Sequence, residues 1–161
     1  MREAPVLLVE DDPADVRLIQ RAFGKLDKNV PMIRLTNGDD AVAYLSGLAP
    51  YDNRGAYPIP SVVLLDIKLP RRSGFEVLEW VRRQQSALKR LPIVILSSSR
   101  HSADINRAFD LGANSYLAKP ESILQLEELA SQFQAYWLGL NESPDLHGEP
   151  WTGRPPGIHH D

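Results

Sequence analysis

Two kinds of hydrophobic pattern alternate along this chain. Residues 6–9, 62–65 and 92–96 are apolar at every position, whereas the segments after them place apolar residues three and four apart. A short unbroken run rich in Val, Leu and Ile suits a strand covered on both faces, as in the middle of a parallel sheet. Spacing of three and four predicts amphipathic helices. Read in order, a strand at 6–9 leads to a helix carrying Val16, Ile19, Ala22, Phe23 and Leu26 on one side, with Asp12 as its cap and Pro13 at its first position. A strand at 31–35 follows, then a turn at Asn37-Gly38 into an amphipathic segment at 41–48, and a loop at 49–60 that is long for such a connection. The strand at 62–65 precedes a helix with Phe75, Val77, Leu78, Trp80 and Val81 as its apolar positions. The strand at 92–96 precedes a short helix at 103–111, closed by Gly112, whose tolerance of positive φ suits a helix end. A fifth strand at 115–118 and a final helix at 123–140 complete the series.

Five strands alternating with five helices predict an α/β fold, a parallel sheet with helices on both faces. A length of 161 residues suits one such domain, read as residues 1–140. From Asn141 to Asp161 four prolines and three glycines predict a tail.

Composition narrows the function classes. The net charge is −3, and residues 141–161 hold Glu142, Asp145, Glu149 and Asp161 against Arg154, which leaves the body neutral. Such a body has no bulk field to attract nucleic acid. No cysteine is present, which excludes disulfides, a thiol nucleophile and thiolate metal sites. No run is long and apolar enough to cross a bilayer, and the start Met1-Arg2-Glu3-Ala4-Pro5 leads directly into a strand rather than an export signal, so a cytoplasmic location is expected.

The carboxyl ends of the strands carry the chemistry. Glu10 and Asp11 follow the first, Asp66 the third, Ser97 the fourth and Lys119 the fifth. A parallel sheet gathers these along one rim, where ligands of open α/β sheets bind. Two carboxylates ~4 Å apart repel by roughly 4 kcal/mol at an effective dielectric of 20, so the cluster calls for a cation or a proton. A hard divalent ion with oxygen ligands, Mg²⁺ first among them, fits the donor types. With the acids neutralised, Asp66 is a candidate nucleophile towards phosphorus, and Ser97 and Lys119 are candidates to share the charge of the entering phosphoryl group.

Val9-Glu10-Asp11, Leu65-Asp66-Ile67-Lys68-Leu69-Pro70 with Gly74, Ile95-Leu96-Ser97-Ser98 and Tyr116-Leu117-Ala118-Lys119-Pro120 resemble the receiver domains of bacterial response regulators, over about residues 6–140. The resemblance implies a flavodoxin-like, doubly wound sheet of order 2-1-3-4-5. It implies Asp66 as phosphoacceptor, Asp11 as direct Mg²⁺ ligand beside Asp66, the Lys68 backbone carbonyl as a further ligand, and Glu10 acting through a metal-bound water. Ser97 and Lys119 would hold the phosphoryl oxygens, and Tyr116 would be the switch aromatic. Glu10 stands where many members have Asp, and Lys68 stands at a position that influences phosphate loss.

Residues 10–17, the long loop and Tyr136-Trp137-Leu138 resemble stand-alone regulators that serve phytochrome-type histidine kinases. That resemblance implies such a kinase as partner and output through protein contacts in a phosphorelay. A haloacid-dehalogenase-type phosphohydrolase, which also forms an aspartyl phosphate, usually needs a second Asp two residues on, where this chain has Lys68. A binding module that has kept the fold and lost phosphorylation is the other alternative, and it leaves five chemically competent positions without a purpose. Too few residues follow Leu140 for a helix-turn-helix output. Finally, Ile123, Leu126, Leu129, Ala130, Phe133, Tyr136, Trp137 and Leu140 span about 140° of helix, wider than the ~100° one core contact needs, which leaves apolar surface for a tail folded back with Trp151 or for a second copy. The resemblance to the phytochrome-associated regulators, which form dimers, implies a homodimer through the final helix.

Overall fold

A computed structural model describes residues 4–26 and 30–153. Its centre is a five-stranded parallel sheet of order β2-β1-β3-β4-β5, formed by β1 (Val6–Val9), β2 (Met32–Leu35), β3 (Val62–Leu65), β4 (Ile93–Ser97) and β5 (Ser115–Ala118). The helices between them are α1 (Pro13–Gly24), α2 (Gly38–Ser46), α3 (Gly74–Arg82), α4 (Ser102–Asp110) and α5 (Ile123–Ala135), with a 3₁₀ turn at Ala87–Arg90. β1 and β3 lie between two neighbours each, and every residue of both is buried, as their unbroken apolar runs require.

Strand alternation divides the core into two layers. Leu7, Val9, Val63, Leu65, Ile93 and Ile95 face α2, α3 and α4, whose Tyr44, Leu45, Phe75, Leu78, Val81 and Ala108 close that side. Val6, Leu8, Val62, Leu64, Val94 and Leu96 face α1 and α5, where Val16, Ile19, Phe23, Leu126, Ala130 and Phe133 meet them. Phe23 and Phe133 pack edge to face at 5.6 Å, joining α1 to α5.

Three elements differ in detail from the sequence reading. Asn37 does not make a free-standing turn; its side chain accepts the Asp40 N–H and caps α2, with Gly38 as the first helical residue. Gly38 has to be small, because a Cβ there would lie 1.9 Å from the Arg72 carbonyl oxygen. The last helix keeps α geometry only to Ala135 and continues as a π-helical turn over Tyr136–Leu140. The long loop is ordered by Arg54, whose guanidinium donates to the carbonyls of Tyr44, Leu45 and Tyr57 and so satisfies the open end of α2. Tyr44, Tyr51 and Tyr57 stack around it, with Tyr44 Oη donating to the Pro58 carbonyl at 2.7 Å. Asp12 and Gly112 take the places expected of them, Asp12 capping α1 and Gly112 at φ 103°.

Among the described residues after Leu140 no helix or strand forms. Leu146 packs against the layer of α2, α3 and α4, the Glu149 carbonyl accepts a 3.4 Å hydrogen bond from Arg90, and Trp151 is exposed. The rest of the sequence-predicted tail, residues 154–161, and Met1 to Glu3 lie outside the described residues. No helix among the described residues is long and apolar enough to cross a membrane.

Candidate functional site

Backbone pairing carries the sheet one residue past its strands at the carboxyl edge. Glu10 N–H bonds to the Leu35 carbonyl at 3.0 Å, Asp66 N–H to the Val9 carbonyl at 3.1 Å and Lys119 N–H to the Ser97 carbonyl at 2.8 Å. These bonds hold the polar side chains at the rim, Glu10 and Asp66 directly beyond the fully buried Val9 and Leu65 and Lys119 beyond the half-buried Ala118. Glu10 and Asp66 are 2% and 7% exposed, and Ser97 is buried, whereas Asp11 and Lys68 are exposed.

The Lys119 ammonium lies at the centre of the group. It is 2.7 Å from Glu10 Oε2, 2.8 Å from Asp15 Oδ2 and 2.9 Å from Asp66 Oδ2. It donates hydrogen bonds to Asp15 and Asp66 and forms an ion pair with Glu10. The remaining acceptors are partly filled by backbone: Glu10 Oε1 takes the Asp12 N–H at 3.1 Å and Asp66 Oδ1 takes the Ile67 N–H at 2.7 Å.

Burial lifts the Glu10 carboxyl, and the neighbouring Asp66 adds to this against the pull of Lys119, so Glu10 is pushed up to about 7. Burial by itself would lower the Lys119 ammonium. Its hydrogen bonds to Asp15, Glu10 and Asp66 outweigh that and hold it well above the ordinary lysine range. Lys119 stays charged, and the Glu10 carboxyl is shifted towards neutrality.

One carboxylate oxygen from each of Glu10, Asp11 and Asp66 can be chosen so that all lie within 4.8 Å of one another. An all-oxygen donor set of this size, with one ammonium facing several carboxylates, suits a hard divalent cation of the Mg²⁺ type. The two buried members are also partners of Lys119, so the site has a cation in place already, and a metal ion would have to share those oxygens with it.

The loop after Asp66 wraps the rim. Gly74 N–H bonds to the Ile67 carbonyl at 2.9 Å, and a Cβ at Gly74 would lie 2.1 Å from the Asp66 carbonyl oxygen, so α3 begins in backbone contact with Asp66. Arg71 in this loop adopts φ 68°, a left-handed conformation that costs a side-chain-bearing residue about 1–2 kcal/mol. Gly38 N–H reaches the Pro70 carbonyl at 3.4 Å and Arg72 pairs with Asp39 at 3.3 Å, which ties the loop to the start of α2.

On the far side of the rim, Ser97 Oγ accepts the Ser99 N–H at 3.2 Å, so its hydroxyl is bound within its own loop. Tyr116 is half-buried against the layer of α2, α3 and α4, and its hydroxyl donates to the Ser99 carbonyl at 2.8 Å. The aromatic and the serine loop are thus already linked. Glu10, Asp11, Asp66, Ser97 and Lys119 all stand on the same edge. Asp15 was not singled out from sequence. The signal available was its position in the first turn of a helix capped by Asp12, immediately after Glu10 and Asp11.

A family model described as the response regulator receiver domain matches residues 6–131. The probable methanogenesis regulatory protein FilR2 of Methanothrix harundinacea is 38% identical over 139 residues, 86% of this chain and 86% of its own. Response regulator Rcp1 of Synechocystis is 35% identical over 133 residues, 83% of this chain and 88% of its own. The crystal structure of Mn²⁺-bound Rcp1 has a TM-score of 0.79 and covers 89% of this chain and 100% of that one. That of the phosphorylated cyanobacterial phytochrome response regulator RcpA has a TM-score of 0.81 at 33% identity, again over 89% of this chain and 100% of that one.

Proposed function

The chain belongs to the response regulator receiver domain family, phosphoacceptors of two-component signalling, and on that premise we propose that Asp66 takes a phosphoryl group from a phytochrome-type sensor histidine kinase. The observation that carries this reading is the position of Asp66, buried at the end of β3 between the Lys119 ammonium and the Glu10 and Asp11 carboxylates. An Asp66 oxygen bonds to phosphorus as the phosphorus–nitrogen bond to the kinase histidine breaks, and the imidazole leaves with the electron pair. Lys119 and Ser97 then hold the new phosphoryl oxygens. Ser97 must give up its bond to Ser99 N–H to do so, and Tyr116, bonded to the Ser99 carbonyl, registers the movement of that loop.

Asp11, Asp66, the Lys68 backbone carbonyl and, through a water, Glu10 would hold Mg²⁺. When bound, the ion supplies positive charge against the three acids and the transferred phosphoryl group. The protein's own turnover is limited to this transfer and to hydrolysis of the aspartyl phosphate, in which water takes the phosphoryl group and the Asp66 carboxylate leaves. The receiver body runs to residue 140, with the remainder as tail. Ile123, Tyr136 and Leu140 are exposed apolar positions along the final helical segment, which supports a homodimer through it that presents two acceptors to the kinase.

Incubating the protein with a small phosphodonor and Mg²⁺ and weighing it intact tests the reading. Gain of one phosphate by the unaltered chain and none by Asp66→Asn is expected; uptake by the mutant would move the acceptor elsewhere. Light scattering with and without Tyr136→Ser and Leu140→Ser tests the dimer, and a monomer from the unaltered chain at tens of micromolar, phosphorylated or not, would remove it.

A further inference from the structure

The three contacts of Lys119 are not equivalent. Two of them, Glu10 and Asp66, belong to the carboxylate trio that a divalent cation would use, and the third, Asp15, does not. A cation entering the trio and the ammonium therefore compete for the same oxygens. A lysine with only those two partners could yield them only by giving up both of its ion pairs. Asp15 changes this, since its carboxylate sits 2.8 Å from Lys119 Nζ on the outer side, a third exposed, from the first turn of a helix whose cap bonds to Ala14 N–H and Asp15 N–H. The Asp12 cap anchors its backbone, and Asp12 N–H in turn bonds to Glu10 Oε1.

We infer that Asp15 is the positioning residue of Lys119: it retains the ammonium while Glu10 and Asp66 turn to a divalent cation, and Mg²⁺ binds more tightly because Asp15 is present. The inference rests on the reading that the trio holds Mg²⁺. Two effects of removing the carboxylate act in the same direction. Lys119, deprived of its outer partner, holds Glu10 and Asp66 more firmly against the incoming ion, and one negative charge near the site is lost. The first effect passes through Lys119 and the second does not. The second is small, because a third of the Asp15 side chain is open to solvent and screened.

The competing account is that Asp15 serves only α1, where an acid in the first turn complements the helix dipole. Calorimetric measurement of Mg²⁺ binding to the full chain at fixed pH separates the accounts, using Asp15→Asn, Asp15→Glu, Lys119→Met and the Asp15→Asn Lys119→Met double variant. Asp15→Asn keeps shape and loses charge, and it is expected to weaken Mg²⁺ binding on the order of five-fold. Asp15→Glu is expected to recover most of that, and Lys119→Met to strengthen binding by removing the competitor. In the Lys119→Met background, Asp15→Asn should cost less than about two-fold. Equal losses in both backgrounds, or no loss in either, would overturn the inference while leaving the Mg²⁺ site standing. No Mg²⁺ binding by the unaltered chain would overturn both.

Discussion

Each end of the sheet has a half-buried cation, and the two are solvated in opposite ways. At the carboxyl end Lys119 is surrounded by carboxylates. At the amino end of β4 and β5, Arg82 donates to the carbonyls of Gly112, Lys89 and Leu91 and to Asn114 Oδ1, each at 2.8 Å, all of them neutral acceptors. Burial accordingly lowers the Arg82 guanidinium, while its neighbours raise Lys119. Neutral acceptors do not call for a counter-ion and cannot be esterified, so Arg82 serves as a structural tie joining α3, the 3₁₀ turn and the connection into β5. Carboxylates can exchange an ammonium for a metal ion or become esters of phosphate, so the Lys119 end can change state without unfolding the frame below it.

The contrast can be tested by degrees. The largest effect is all-or-none: Asp66→Asn removes the group that changes state and should abolish phosphoryl uptake, while its stability to urea stays close to that of the parent. Arg82→Met should cost about 3 kcal/mol in urea unfolding, since it removes the donor from four acceptors at once, two of them part-buried, and Mg²⁺ should not restore it. Lys119→Met should cost less, about 1–2 kcal/mol, and here Mg²⁺ should restore it by replacing one cation with another. If Mg²⁺ rescues both or neither, the two ends do not differ as described.

A pH dependence follows from Glu10. In the metal-free protein its folded pKa of about 7 lies above the ordinary 4.5, so the folded chain keeps a proton that the unfolded chain releases. The stability tied to that proton is fully present below about pH 4.5, is lost as pH rises towards 7, and is absent above it, amounting to at most about 3 kcal/mol. Glu10→Gln cannot titrate and should show a shallower decline across that window in chelator-treated samples. Identical profiles for the two proteins would remove Glu10 as the cause. The smallest effect expected is at Arg71, where Arg71→Gly should raise stability by about 1 kcal/mol by relieving the left-handed backbone. An unchanged urea midpoint would mean the loop carries no such cost.

Much of this arrangement is legible in sequence because it is written locally. The runs at Val6–Val9 and Val62–Leu65 are apolar throughout, as strands buried on both faces must be; Glu10, Asp66 and Lys119 each follow a strand directly, and Ser97 ends one. What sequence did not disclose depends on contacts between distant residues. Asp15 meets Lys119 across 104 positions, and Arg82 finds Gly112 and Asn114 across 30 and 32. Arg54 looks like an ordinary loop arginine until it reaches the end of α2. Asn37-Gly38 has the composition of a turn and also of a helix cap, and the bond from Asp40 N–H to Asn37 Oδ1 distinguishes them.

Gly38 and Gly74 together bracket the loop between them, one against the carbonyl of Arg72 and the other against that of Asp66. In a saturation screen for lost signalling, both positions should therefore score like site residues. At Gly74 any replacement drives a wedge into the backbone that carries the acceptor. At Gly38, twenty-eight positions upstream of Asp66 and without a reactive group, the same wedge is delivered through the loop. A map of intolerance to mutation would thus extend from the rim down to the start of α2, and a reader of that map alone would mistake a steric hinge point for chemistry.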